Sequence, residues 1–313
     1  MTYIRNHREE ASIAAALIVL AGVLAIAAPG YFARENLSDL LLANVPVLVI
    51  ALGMTLVIIA GQIDISVGSN FAICSVAAGV LVKAGLPLPA AVLGTCVIGG
   101  GLGAINGALV GYLGIPSIVV TLASMVALRD ALRWQTQGAW VQDLPINFQW
   151  FGFSQSSYPT VVILTTTFLM VFFAWGMRKL AAGRAVYATG SHPEGARLAG
   201  IDTSLVVFCV FLVAGLLTGF AAVLNSVRFN QIPSNGGLGL EMKVIAGVVV
   251  GGAAITGGVG TIVGSVLGVV LLGAIGPALT FLGVSAYWER AIQGGIILAA
   301  VINYARSAAG SRH

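Results

Sequence analysis

Charge is what this sequence has least of. Lysine, arginine, aspartate and glutamate make up 8% of its 313 residues, where a soluble domain carries about a quarter. So few ions cannot clothe a surface in water. With 58% hydrophobic residues and a mean hydropathy of +0.99, the chain is built for lipid. Fifteen Lys and Arg against eleven Asp and Glu leave a formal charge of +4. The cations are scattered without interleaved aromatics, which excludes a nucleic-acid binder. Cysteine is scarce too: Cys74, Cys96 and Cys209 lie in apolar stretches with no C-x-x-C and no histidine nearby, so neither a disulfide framework nor a metal site is expected. Also missing are a phosphate loop of the G-x-x-x-x-G-K-[ST] type, a G-x-S-x-G elbow and an H-E-x-x-H pair. The chain therefore reads as no enzyme, and it cannot power itself with ATP.

What the chain does have is a succession of apolar runs. Roughly 20 such residues cross ~30 Å of hydrocarbon, and runs at 12–30, 40–60, 69–84, 89–112, 115–134, 158–177, 205–227, 243–257, 261–282 and 287–305 predict about ten crossings. An even number puts both termini on one side. Arg5, Arg8, Arg178, Lys179, Arg184, Arg197, Arg306 and Arg312 make that side the cytoplasm. Arg34, Lys83, Arg129, Arg133, Arg228, Lys243 and Arg290 fall on or near the other side, so orientation rests mainly on the 178–197 cluster. The first run follows two arginines as a signal peptide does, but it continues to Ala28 with more spans beyond, and reads as an uncleaved helix.

The runs 69–84 and 243–257 are short and flanked by glycine and polar residues, as broken or half helices are. Each precedes glycines at intervals of four: Gly99, Gly103, Gly107 and Gly111, then Gly260, Gly264 and Gly268. That spacing predicts one small-residue face per helix and close helix contact. The polar segments 135–157 and 228–241 are expected outside, with Trp134 in an aromatic belt.

Ionisable groups in hydrocarbon are functional candidates: Asp64, Arg129, Asp130, Arg133, Glu241 and Lys243. Asp130 is expected to pair with Arg133 or Arg129, and Glu241 to sit beside Lys243 at a helix start that favours a carboxylate. The alternation Ile63-Asp64-Ile65-Ser66-Val67-Gly68-Ser69 does not suit a lipid-facing helix, so the backbone should break there. Two jobs stay open for Asp64: capping the next helix through the N–H groups of Ser66 and Val67, or contacting solute in a pathway. Asn106, Asn225 and Asn230 can likewise bind a hydroxyl-rich solute or act as glue between helices. The candidate translocation pathway is Asp64, Ser66, Asn106, Asn225, Asn230 and Glu241.

One polar segment between apolar runs, 183–201, has the look of a docking handle. Ser191 and Glu194 have capping-box spacing, Pro193 suits a first helical turn and Gly200 a left-handed stop. A short helix presenting Glu194 and Arg197 on one face is expected. The run of Gly183, Arg184, Tyr187, Gly190, Ser191, Glu194, Ala196, Arg197, Gly200 and Ile201 resembles the cytoplasmic coupling loop of permease subunits of ribose-type (branched) ABC sugar importers. Gly61–Ser69, Ile115–Leu122 and 240–260 agree with the same family in the right order. Gly239-Leu240-Glu241-Met242-Lys243 and 140–144 look most like the autoinducer-2 and rhamnose permeases, while Lys243 and Gln62 depart from the common pattern.

The resemblance implies a single all-α integral membrane domain over 1–313 with a type II importer-like fold, and ATPase coupling by those ten residues within a loop spanning 178–204. It implies a place in the bacterial inner membrane and import of a small sugar-like solute such as rhamnose, autoinducer-2 or a pentose. The implied partners are an ABC ATPase subunit carrying ATP and Mg, a second permease subunit, a periplasmic solute-binding protein and membrane lipid. The competing reading is a self-sufficient ion-coupled secondary transporter or channel, against which stand the few midplane acids.

Overall fold

A computed structural model describes the backbone of residues 2–285, side chains from residue 10 of that range, and isolated positions up to Leu298. Among the described residues eleven α-helices follow one another: α1 Thr2–Ala27, α2 Arg34–Ile59, α3 Val67–Lys83, α4 Leu88–Gly111, α5 Ser117–Thr136, α6 Tyr158–Lys179, α7 Ala181–Ser191, α8 Pro193–Leu198, α9 Thr203–Ser226, α10 Leu240–Val250 and α11 Ile262–Phe281. Among the described residues the only extended pairing is an isolated antiparallel bridge, Val141 with Ile232, which ties the two long loops together. The protein is an all-α membrane protein.

Among the described residues six helices are long and apolar enough to cross a membrane: α1 from Glu10, α2, α4, α6, α9 and α11. α3 has 17 residues and is a short apolar helix. α5 is long enough, but Arg129, Asp130 and Arg133 dilute its hydropathy. The expected span 243–257 needs correction. α10 stops at Val250, and Gly252, Gly257, Gly258 and Gly260 then take positive φ, so 251–261 is a glycine-rich loop. The run 287–305 lies almost wholly outside the described residues. α10, with 11 residues, is thus a half-length element, and both short helices join irregular backbone, the arrangement membranes tolerate only inside protein or beside a cavity.

α2 is buried along most of its length and forms the centre of the bundle, with α1 and α6 at the periphery. The glycine face of α4 explains its closest partner. A Cβ at Gly99 would stand 2.5 Å from the Gly215 carbonyl, at Gly107 2.9 Å from that of Phe208, and at Gly111 2.6 Å from that of Ser204, so α4 and α9 touch backbone to backbone. Gly264 and Gly268 meet Gly251 and Gly247 in the same way. Gly260 does not extend that face, because it lies before α11 in the loop.

Candidate functional site

The break between α2 and α3 is held by a chain of polar groups sealed from solvent. Asp64 Oδ1 accepts from the Ser66 backbone N–H at 2.9 Å and from its hydroxyl at 2.6 Å. Ser66 Oγ, having given its proton, accepts from Asn106 Nδ2 at 2.9 Å, and Asn106 Oδ1 accepts from Ser124 Oγ at 2.6 Å. Asp64, Ser66 and Asn106 are each at most 3% exposed. A buried carboxyl group is tolerated here because its Oδ1 is hydrogen-bonded twice by Ser66. The N-terminal turn of α5 clamps the same segment: Ser117 Oγ accepts from the Ile63 N–H at 3.2 Å, and Thr121 Oγ1 donates to the Ile63 carbonyl at 3.3 Å. Farther along, Ser69 Oγ donates to the Met125 carbonyl at 2.7 Å.

Three of the pathway candidates, Asp64, Ser66 and Asn106, are therefore one network; Asp64 accepts from Ser66 but does not cap α3, whose N-cap residue is Ser66 itself and whose first turn receives no side-chain cap. The other three lie elsewhere. Asn225 is half-buried beside a small cavity, Asn230 is exposed, and Glu241 sits in the first turn of α10. Glu241 Oε2 is buried without a hydrogen-bond partner, against Gly68 of α3. Asp130 does pair with Arg133, at 3.5 Å, on an exposed face at the end of α5.

The segment 183–201 holds two helices, and α7 is the one that sequence reasoning missed. The capping box also needs correction. Ser191 is the last residue of α7 and its hydroxyl donates to the Tyr187 carbonyl at 2.7 Å. The cap of α8 is His192, whose Nδ1 accepts from the Gly195 N–H at 2.8 Å. Pro193 is the cause: the residue before a proline is driven out of the helical region, and His192 stands at φ −156°, ψ 86°. The expected stop holds. Gly200 has φ +83°, and the N–H groups of Gly200 and Ile201 return to the carbonyls of Arg197 and Ala196, both at 3.0 Å, as a Schellman motif requires.

The residues of this segment divide between an inward and an outward face. Gly183, Tyr187, Gly190 and Ala196 face in. A Cβ at Gly190 would run into the Ile59 carbonyl at the end of α2, so α7 packs there backbone to backbone, and the same carbonyl accepts from the Gly258 N–H at 2.8 Å. The Tyr187 hydroxyl donates to the Gly260 carbonyl at 2.7 Å; burial raises that phenol above its ordinary range, so it stays a donor. α7, the end of α2 and the 251–261 loop are thus knotted through backbone. Arg184, Ser191, Glu194, Arg197 and Gly200 are exposed, Ile201 is half-buried, and Leu198 is 92% exposed. Arg197 Nε donates to Thr203 Oγ1 at 2.7 Å, and Arg184 to the Lys179 carbonyl at 3.1 Å. Beneath α8 a cavity of about 390 Å³ is lined by Gln62, Thr189, Ser191, Arg197 and Ser204.

The sequence matches a family of permease components described as branched-chain amino acid transport systems over residues 36–301. Among curated relatives, the autoinducer 2 import system permease protein LsrC of Escherichia coli strain HS is 35% identical, with 96% of this chain aligned to 88% of that protein. The LsrC proteins of Salmonella paratyphi B and Photorhabdus luminescens are 34% and 33% identical, again over 96% of this chain and over 87% and 90% of theirs. No solved structure matches. With most of the chain matched by the family model and by these relatives, the protein belongs to this permease family and is a membrane permease subunit of an ATP-binding-cassette importer.

Proposed function

We propose that this subunit carries a small, neutral, hydroxyl-rich solute of the autoinducer-2 or sugar class into the cytoplasm, with α7 and α8 as the contact through which a separate ATPase drives it. The observation that carries this reading is the backbone knot joining α7 to the end of α2 and to the 251–261 loop. A push on α8 cannot be absorbed by flexible side chains, because Gly190 packs backbone to backbone against the Ile59 carbonyl. The displacement enters α2 at Ile59, a few residues before the Asp64 network. Glu194, Arg197 and Leu198 point outward, free to meet a partner.

On this reading the α7–α8 end faces the cytoplasm, in keeping with the cations at Arg178, Lys179, Arg184 and Arg197, and both termini are cytoplasmic. ATP and Mg belong to the ATPase. A second permease subunit, identical or homologous, completes the pathway, and a periplasmic solute-binding protein delivers solute to the opposite end. Asp64 serves structure on this reading: its Oδ1 accepts twice from Ser66 and holds the break between α2 and α3. The test is purification of the complex from its native membrane. A co-purifying subunit with nucleotide-binding motifs, hydrolysing ATP, is expected; uptake by this chain alone, driven by an ion gradient, would reverse the reading.

A further inference from the structure

Most hydroxyls in the membrane helices are satisfied by their own helix. Thr55, Thr95 and Thr218 donate to the carbonyls of Ala51, Ala91 and Ala214 at 2.6, 2.8 and 2.8 Å. Ser75 of α3 and Ser226 at the end of α9 do not. They are 3% and 1% exposed, and neither hydroxyl oxygen has a partner. Both line one cavity of about 70 Å³, which Asn225 also lines and which the loop after α9 closes at Gly236 and Gly237. Two unpaired buried hydroxyls turned to the same space are costly unless something there hydrogen-bonds with them.

The surroundings say what that something is. No charged residue lines the cavity; serine, amide and the rings of Phe71 and Phe229 do. Such a wall suits a neutral molecule with hydroxyls on one edge and C–H groups on another. The short helices α3 and α10 begin nearby: Gly68 lies against both Gly237, which lines the cavity, and the buried, unpartnered Glu241 Oε2. Irregular backbone meeting the starts of short helices is where transport proteins hold solute. We infer that this cavity is a subsite for the hydroxyl groups of the transported solute, a neutral polyol or monosaccharide, with Ser75 and Ser226 as its hydrogen-bonding residues. This rests on the transport reading above. A space of about 70 Å³ receives one end of such a molecule.

The competing occupant is a small cluster of trapped waters. The experiment is direct binding of labelled autoinducer-2, D-ribose and L-rhamnose to the permease–ATPase complex in nanodiscs without binding protein. The subsite predicts saturable binding of at least one probe, weakened about tenfold in S75A/S226A and a few-fold in each single variant. S75T, which restores the hydroxyl, should bind nearly as the parent does. The variant pair also tells a lost hydroxyl from a misfolded protein, since S75T is the bulkier change. Unchanged affinity in S75A/S226A, or no binding of any probe to a complex that hydrolyses ATP, overturns the subsite and leaves the importer reading standing. A chain that assembles with no ATPase fails the reading itself.

Discussion

Gly190→Ala is the sharpest perturbation the fold offers. A Cβ there would run into the Ile59 carbonyl oxygen and stand 2.7 Å from the Gly258 nitrogen and 2.9 Å from the Ile59 carbonyl carbon. All three obstacles are backbone, so no rotamer change relieves them. Overpacking of this kind costs about 1–3 kcal/mol, and moving Ile59 away from Gly258 sacrifices the hydrogen bond they make at 2.8 Å, another ~0.5–1.5 kcal/mol. The expected loss is about 1.5–4.5 kcal/mol if the knot breaks, or a smaller loss with uncoupled ATP hydrolysis if α7 shifts outward instead. Gly101→Ala is the control: its Cβ would meet nothing within 4 Å, and mid-helix it should be neutral or stabilise by up to ~1 kcal/mol. Thermal unfolding of the purified complex and uptake in vesicles read both variants. Parent-like stability and transport in Gly190→Ala would refute the knot and with it the proposed route of coupling.

Other outcomes are equally specific. Asp64→Asn keeps an acceptor for Ser66 and should retain fold and most transport, whereas Asp64→Ala strands two buried donors and should cost ~1.5–3 kcal/mol in thermal unfolding; a well-folded, transport-dead Asp64→Asn would assign the charge itself a role. His192→Ala removes the cap of α8 and should reduce protection of its amides in hydrogen exchange by ~0.5–2 kcal/mol, while Ser191→Ala should change little; the reverse order would restore the capping box. Reversing charge at Glu194 and Arg197 together should weaken ATPase association and abolish uptake while expression persists, because exposed ion pairs contribute only ~0–1 kcal/mol to the fold. Normal transport by that double variant removes α8 from the interface.

Features that depend on near neighbours were legible in the sequence. Gly200 was readable as a stop because a positive φ selects glycine. The link of Asp64 to Ser66 is local, and the short helices showed as short apolar runs. The cap slipped by one residue because the effect of Pro193 on His192 outweighs the spacing of Ser191 and Glu194. α7 went unread because its small residues resemble a loop until tertiary contacts hold them. The Asn106 to Ser124 link was beyond reach, since it joins side chains on two helices whose contact depends on packing the whole bundle. The same holds for Glu241, which reads as a helix-start carboxylate and only in three dimensions meets Gly68 of α3.

The central claim is that the ATPase grips the outward face of α8. Leu198 is 92% exposed there, and a photoactivatable side chain at that position in the native complex tests the claim with least inference. A cross-link to a polypeptide carrying the nucleotide-binding motifs, strong at Leu198 and absent from Trp134 at the opposite end of the bundle, is the predicted result. Cross-linking at Trp134 instead, or at neither position in vesicles that transport normally, would contradict it.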